Sequence, residues 1–126
     1  MKIIKLIAAS ALAMAAPTYA ANWAFAGFEN NIGFYYDTDT MQRSGETVTL
    51  WEKWDHARDK SVQQRTTLIR ARYNCSDRTY THLHAILYFP DGTHKTLEYS
   101  TYEQQQEKMI APDTVGDTKL KIYCGV

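Results

Sequence analysis

The sequence predicts an α+β domain, mainly β: an antiparallel sheet with a short C-terminal helix packed on one face and tied there by a disulfide. Three observations lead to this. The stretch Gln64–Leu97, QRTTLIRARYNCSDRTYTHLHAILYFPDGTHKTL, alternates apolar and polar residues between turn signals, as half-buried strands do. The chain holds nine Tyr, three Trp and four Phe, and β-branched residues fill its middle, a composition that favours sheet over helical bundle. Its two cysteines are Cys75, at the first of those turns, and Cys124, two residues from the C-terminus.

The N-terminal twenty residues fall outside this pattern. Lys2 and Lys5 precede an apolar run, Leu6–Ala16, and Pro17-Thr18-Tyr19-Ala20 offers small residues before a cut after Ala20, the layout of a cleaved secretory signal. The apolar run is shorter than the ~20 residues needed to span a bilayer. No cysteine stands near the cut, so no lipid anchor is expected, and the mature chain, 21–126, reads as one soluble domain. Removing Lys2 and Lys5 takes the formal charge from zero to −2. Such a chain lacks the basic field that nucleic acid or an anionic membrane requires. In an exported protein two cysteines pair; two free buried thiols are the disfavoured alternative. Closing a loop of about 50 residues removes denatured-state entropy equivalent to about 4 kcal/mol.

Taken in order, Asn22–Phe28 alternates Trp23, Phe25 and Phe28 with small residues and reads as a first strand, with Gly27 a bulge or a close-approach point. Glu29-Asn30-Asn31 is a turn, Ile32–Asp37 a second strand, and Thr38–Ser44 an irregular passage toward the Ser44-Gly45 turn. Thr47–Trp54 is a strand with Val48, Leu50 and Trp54 on one side and Thr47, Thr49 and Trp51 on the other. The two tryptophans therefore cannot share a core, and the exposed one forms an apolar patch. Asp55–Gln64 is charged, without periodicity, and reads as an exposed loop. Thr66–Cys75 places Ile69, Ala71, Tyr73 and Cys75 on one face and Arg70, Arg72 and Asn74 on the other. Thr79–Phe89 sets Leu83, Ala85, Leu87 and Phe89 against Tyr80, His82, His84 and Tyr88. Pro90-Asp91-Gly92 closes a hairpin to a strand His94–Tyr99. Thr101–Lys108 is polar, a helical turn or loop. Pro112-Asp113-Thr114 starts a helix, with Asp113 or Thr114 as cap and Asp117 in its first turn. Val115, Leu120, Tyr123 and Cys124 then fall on the face that covers the sheet.

These segments resemble the surface-adhesin protein E family of bacterial exported domains. The resemblance is carried by YYDTDTMQRSG, TVTLWEKWD, YNCSDRTY, the D-G turn and the terminal IAPDTVGDTKLKIYC. Asp37, Ser44-Gly45, Val48, Trp51, Tyr73, Cys75, Tyr80, Gly92, Pro112 and Cys124 stand where the family pattern puts equivalent residues. The resemblance implies about six antiparallel strands, a helix tied to the concave side by the disulfide, and adhesion to host matrix or serum proteins. It supplies no contact residues, and without a lipidation cysteine the expected home is the periplasm or the medium rather than the cell surface.

Among residues that carry chemistry, His82-Leu83-His84 puts two imidazoles on one side of a strand, the spacing of a metal pair. A third ligand would have to come from His94, Glu98 or Asp91, and the register expected across the hairpin puts His94 too far along for easy convergence, so no metal and no cofactor is expected. Asp37 with Asp39, and Asp113 with Asp117, are turn and cap residues rather than paired acid–base carboxylates. No nucleophile elbow, zincin motif or phosphate loop occurs, so no enzyme is expected. The basic residues Arg65, Arg70, Arg72 and Arg78 accompany Tyr80 and Tyr88, and Arg and Tyr dominate protein interfaces. A candidate binding face therefore comprises Arg70, Arg72, Tyr80, His82, His84 and Tyr88. The function expected is an exported, non-enzymatic binding domain whose partner is a host or envelope protein, with an open sheet edge as a route to a homodimer. The alternatives are a soluble periplasmic structural or envelope-stress protein and a His-based metal binder.

Overall fold

The computed structural model describes residues 21–99 and 105–125. The secretory signal expected over 1–20, and the first half of the polar run 101–108, lie outside them. Eight strands form one antiparallel sheet: β1 (Trp23–Glu29), β2 (Ile32–Asp37), β3 (Gln42–Ser44), β4 (Thr47–Asp55), β5 (Thr66–Asn74), β6 (Thr79–Tyr88), β7 (His94–Glu98) and β8 (Lys108–Met109). A single helix among the described residues, α1 (Val115–Cys124), follows them. Six strands run in the order β1-β2-β4-β5-β6-β7, while β3 pairs with β4 and β8 with β6. The expected strands are all present. β3 and β8 are additions, too short and polar to register as periodic runs. Each continues an edge: β2 and β3 share one side of β4, and β7 and β8 share one side of β6.

Local chemistry sets the turns. Asn74 Oδ1 accepts from the Ser76 and Asp77 amides and the Ser76 hydroxyl, folding the β5–β6 turn. Asp91 Oδ1 does the same for Thr93 in the β6–β7 turn, and Gly92 takes the φ of 91° required there. Thr114 caps α1 by accepting from the Asp117 amide at 3.2 Å, and Gly125 closes it in the left-handed region.

The core lies between α1 and one face of the sheet. Val48, Leu50, Ile69, Ala71, Tyr73 and Ala85 from the strands meet Ile110, Leu120 and Tyr123. Cys75 and Cys124 are bonded across a sequence separation of 49, so the end of α1 is covalently tied to the sheet. Of the two roles expected of it, Gly27 takes the close approach, and the extra residue of the β1 bulge beside it is Ala26. The register shifts between Phe25 and Gly27, and a Cβ at Gly27 would stand 2.7 Å from the Val115 side chain.

Two expectations need correction. The register between β5 and β6 shifts at Arg70/Ala71: Arg70 pairs with His84, but Ala71 pairs with His82. Leu83 is therefore the extra residue of a β-bulge, and the alternation of β6 reverses there. Tyr80 and His82 face α1, with Ala85 and Leu87, whereas His84 and Tyr88 face away. The loop after β4 is also less exposed than its charge implies, because His56 and Asp59 are buried within it.

Candidate functional site

Cross-strand pairing arranges the outer face, opposite α1, in rows. One runs Trp51–Arg70–His84–Glu98, and the next runs Phe25–Tyr35–Lys53–Leu68–Ile86. Arg72 lies beside the first row, paired with Thr49 and Thr81. Tyr88 lies at the far end and stacks with His94 at 5.8 Å between ring centroids. The Lys53 ammonium sits 5.1 Å from both the Trp23 and Tyr35 rings, and Trp51 packs edge-on to His84. Phe25 is 58% exposed and Phe28 54%. Of the six candidate binding residues, Arg70, Arg72, His84 and Tyr88 thus come together here. The aromatic contribution of β1 and β2 to this face was visible in Asn22–Asp37 only as alternation, with no sign of which side α1 would cover.

The other two candidates, Tyr80 and His82, belong to a second feature. Between α1 and the sheet is a cavity of about 260 Å³ walled by Phe34, Trp54, Tyr73, Tyr80 and His82 and floored by Lys119. Because the bulge turns the two histidines to opposite faces, His82 and His84 cannot bind one metal ion, and the metal-pair reading fails on geometry.

Behind the cavity lies the cluster that sequence reasoning missed. Glu52 on β4 is fully buried. It accepts from Lys119 Nζ at 3.0 Å, Trp54 Nε1 at 3.0 Å, the Tyr123 hydroxyl at 2.8 Å and the Tyr73 hydroxyl. Lys119, 5% exposed, comes from α1, and its Nζ lies 4.9, 5.5 and 5.7 Å from the Phe34, Trp54 and Tyr73 ring centroids. Burial pushes the Glu52 carboxyl up, but the Lys119 charge and the Tyr73, Trp54 and Lys119 hydrogen bonds outweigh it and hold the group below its ordinary value, hence ionised. The tyrosines respond in the opposite sense: burial and the Glu52 charge raise both Tyr73 and Tyr123, so they remain donors. His82 is lowered, chiefly by burial, against a weaker upward pull from Glu52.

A third cluster orders the loop after β4. Asp59 Oδ2 lies 3.0 Å from His56 Nδ1, and His56 Nε2 lies 2.8 Å from Thr67 Oγ1. A carboxylate only accepts, so the Asp59 contact places a proton on His56 Nδ1. The connectivity is that of an acid–histidine–hydroxyl relay, but Thr67 is 4% exposed and its oxygen also accepts from Gln64 Nε2. The cluster fastens the loop to β5.

A helix laid on one face of a disulfide-tied antiparallel sheet, with aromatic and basic residues across the other face, defines a small binding domain of the exported type. The family model for surface-adhesin protein E matches residues 23–125, and the chain belongs to that family. No curated protein and no solved structure matches it. The family is one of binding proteins and points to a non-enzymatic, adhesin-like role; with the Cys75–Cys124 bridge, it points to export. No helix among the described residues is long and apolar enough to cross a membrane.

Proposed function

We propose that this chain is an exported adhesin-like domain that binds host matrix or serum proteins through the outer face of its sheet. The observation that carries this is the cross-strand row Trp51–Arg70–His84, flanked by Arg72, Tyr88 and the exposed Phe25. Trp, Tyr and Arg are the residue types that supply most interface energy, and exposed aromatic patches of this kind mark contact surfaces. α1 occupies the opposite face, so a partner docks without disturbing the core. The domain acts from the periplasm or the medium, directed there by residues 1–20, which are cleaved off on export.

The test is binding of the purified mature chain to a panel of immobilised host matrix and serum proteins. Arg72→Glu combined with Tyr88→Ala should weaken any binding at least tenfold while leaving the melting temperature unchanged. Undiminished binding by that variant would move the contact surface elsewhere on the molecule.

A further inference from the structure

We propose that the cavity between α1 and the sheet is a binding site for a small, uncharged, single-ring aromatic molecule carrying one hydrogen-bond acceptor, which Lys119 would engage. No adhesive contact is involved, so this site is independent of the outer face.

Size comes first. An apolar cavity of roughly 150 Å³ suffices for benzene, and drug-sized ligands occupy roughly 300–1,000 Å³. At about 260 Å³ this cavity admits one ring with a polar substituent and excludes a folded partner or a multi-ring cofactor. It opens beside Met109, which is 77% exposed, so a ligand has a way in.

The walls select a ring. Phe34 and Trp54 meet edge-to-face at 5.3 Å, and His82 contacts Trp54 at 5.7 Å and Tyr80 at 5.1 Å. Rings prefer such edge and offset arrangements, and a guest ring extends the array already present.

The floor selects an acceptor. An ammonium carries three donors. Glu52 takes one, and the other groups found around Lys119 Nζ are the faces of Phe34, Trp54 and Tyr73. An oxygen acceptor on the guest therefore offers Lys119 a stronger partner than a π face. Charge selects neutrality. The Glu52 and Lys119 charges cancel, His82 is kept neutral by burial, and the Glu29 carboxylate stands in the wall, accepting from the Val115 amide at 3.2 Å. A carboxylate guest would meet Glu29 and add an uncompensated buried charge.

The test titrates the full mature chain with benzamide, toluene, cyclohexanecarboxamide and benzoate while nitrogen and ring-proton NMR signals are followed. Benzamide should shift the Trp54 indole N–H and His82 ring signals saturably, with Kd on the order of 1 mM or tighter. Trp51 and His84, on the outer face, should stay still and serve as internal controls. Toluene lacks the acceptor, cyclohexanecarboxamide the ring and benzoate the neutrality; each should bind at least fivefold more weakly. Lys119→Met should bring benzamide down to the affinity of toluene. Should that variant not fold, the ligand series on the unaltered chain decides alone. Absence of a saturable Trp54 shift, equal shifts on both faces, or equal affinity for cyclohexanecarboxamide and benzamide would each overturn the proposal.

Discussion

At the scale of single residues, the most consequential pair is Glu52 with Lys119. Both charges are buried, and each satisfies the other at 3.0 Å. Removing one partner strands the other without water, a loss of about 3–5 kcal/mol for pairs of this kind. Lys119→Met should therefore lower the unfolding free energy by about that amount, measured by urea denaturation with an unchanged m-value. Glu52→Gln should also be costly, because it strands the buried Lys119 ammonium even though the amide oxygen still accepts from Tyr73 or Tyr123. Half of this pair was legible in the sequence. The alternation of Thr47–Trp54 puts Glu52 on the side of Val48, Leu50 and Trp54, where a carboxylate has no business unless it is paired. The other half was not, since the partner lies 67 positions away, on a helix whose rotation only packing fixes.

At the scale of elements, α1 is held to the sheet at both ends by different means. At its C-terminal end Cys124 is bonded to Cys75. Cys75→Ala with Cys124→Ala should cost about 2–5 kcal/mol, read as a fall in denaturation midpoint that a reducing agent reproduces in the parent chain. At its N-terminal end the fit is steric: Gly27 leaves the space that Val115 fills. Gly27→Ala should destabilise by about 1–3 kcal/mol through overpacking. Adding Val115→Ala should recover most of that loss, and failure to recover it would mean the strain lies in β1 itself. The elements themselves were legible because turn chemistry and alternation are local: β2 begins and ends where the pattern does, and Asn74, Asp91 and Gly92 mark turns by their own hydrogen bonds and φ values. The Leu83 bulge was not legible. THLHA alternates without a glycine or proline to announce an extra residue, and only the pairing of β6 with β5 reveals it. That single residue redistributes the candidate binding set between two faces.

At the scale of the whole molecule, the buried and paired histidine and carboxylates make stability rise with pH through the acid range. His82 is lowered from its ordinary 6.5, mainly by burial, so between its folded value and 6.5 the unfolded chain binds more protons and stability rises with pH. Glu52 is lowered from 4.5. Its contribution is in place above 4.5 and is lost as pH falls through the folded value. Asp117 is held at about 2 by the Arg78 guanidinium at 2.6 Å, helped by the Asp113 amide and Lys121, against an ordinary 3.8. Its contribution is complete above 3.8 and disappears toward pH 2. The melting temperature should therefore be flat between about pH 6.5 and 10, decline gently below that range, and fall steeply under pH 4.5. It should fall again above about pH 10, because Tyr73 and Tyr123 are raised. The three acid steps separate by substitution. His82→Phe should remove the gentle decline while keeping a ring in the cavity wall. Asp117→Asn should lessen the slope between pH 3.8 and 2 and leave the His82 step intact, since Asp117 is lowered chiefly by its own contact with Arg78. A profile in which Asp117→Asn abolished the whole acid transition would instead assign acid unfolding to detachment of α1, with the Glu52 cluster opening only as its consequence.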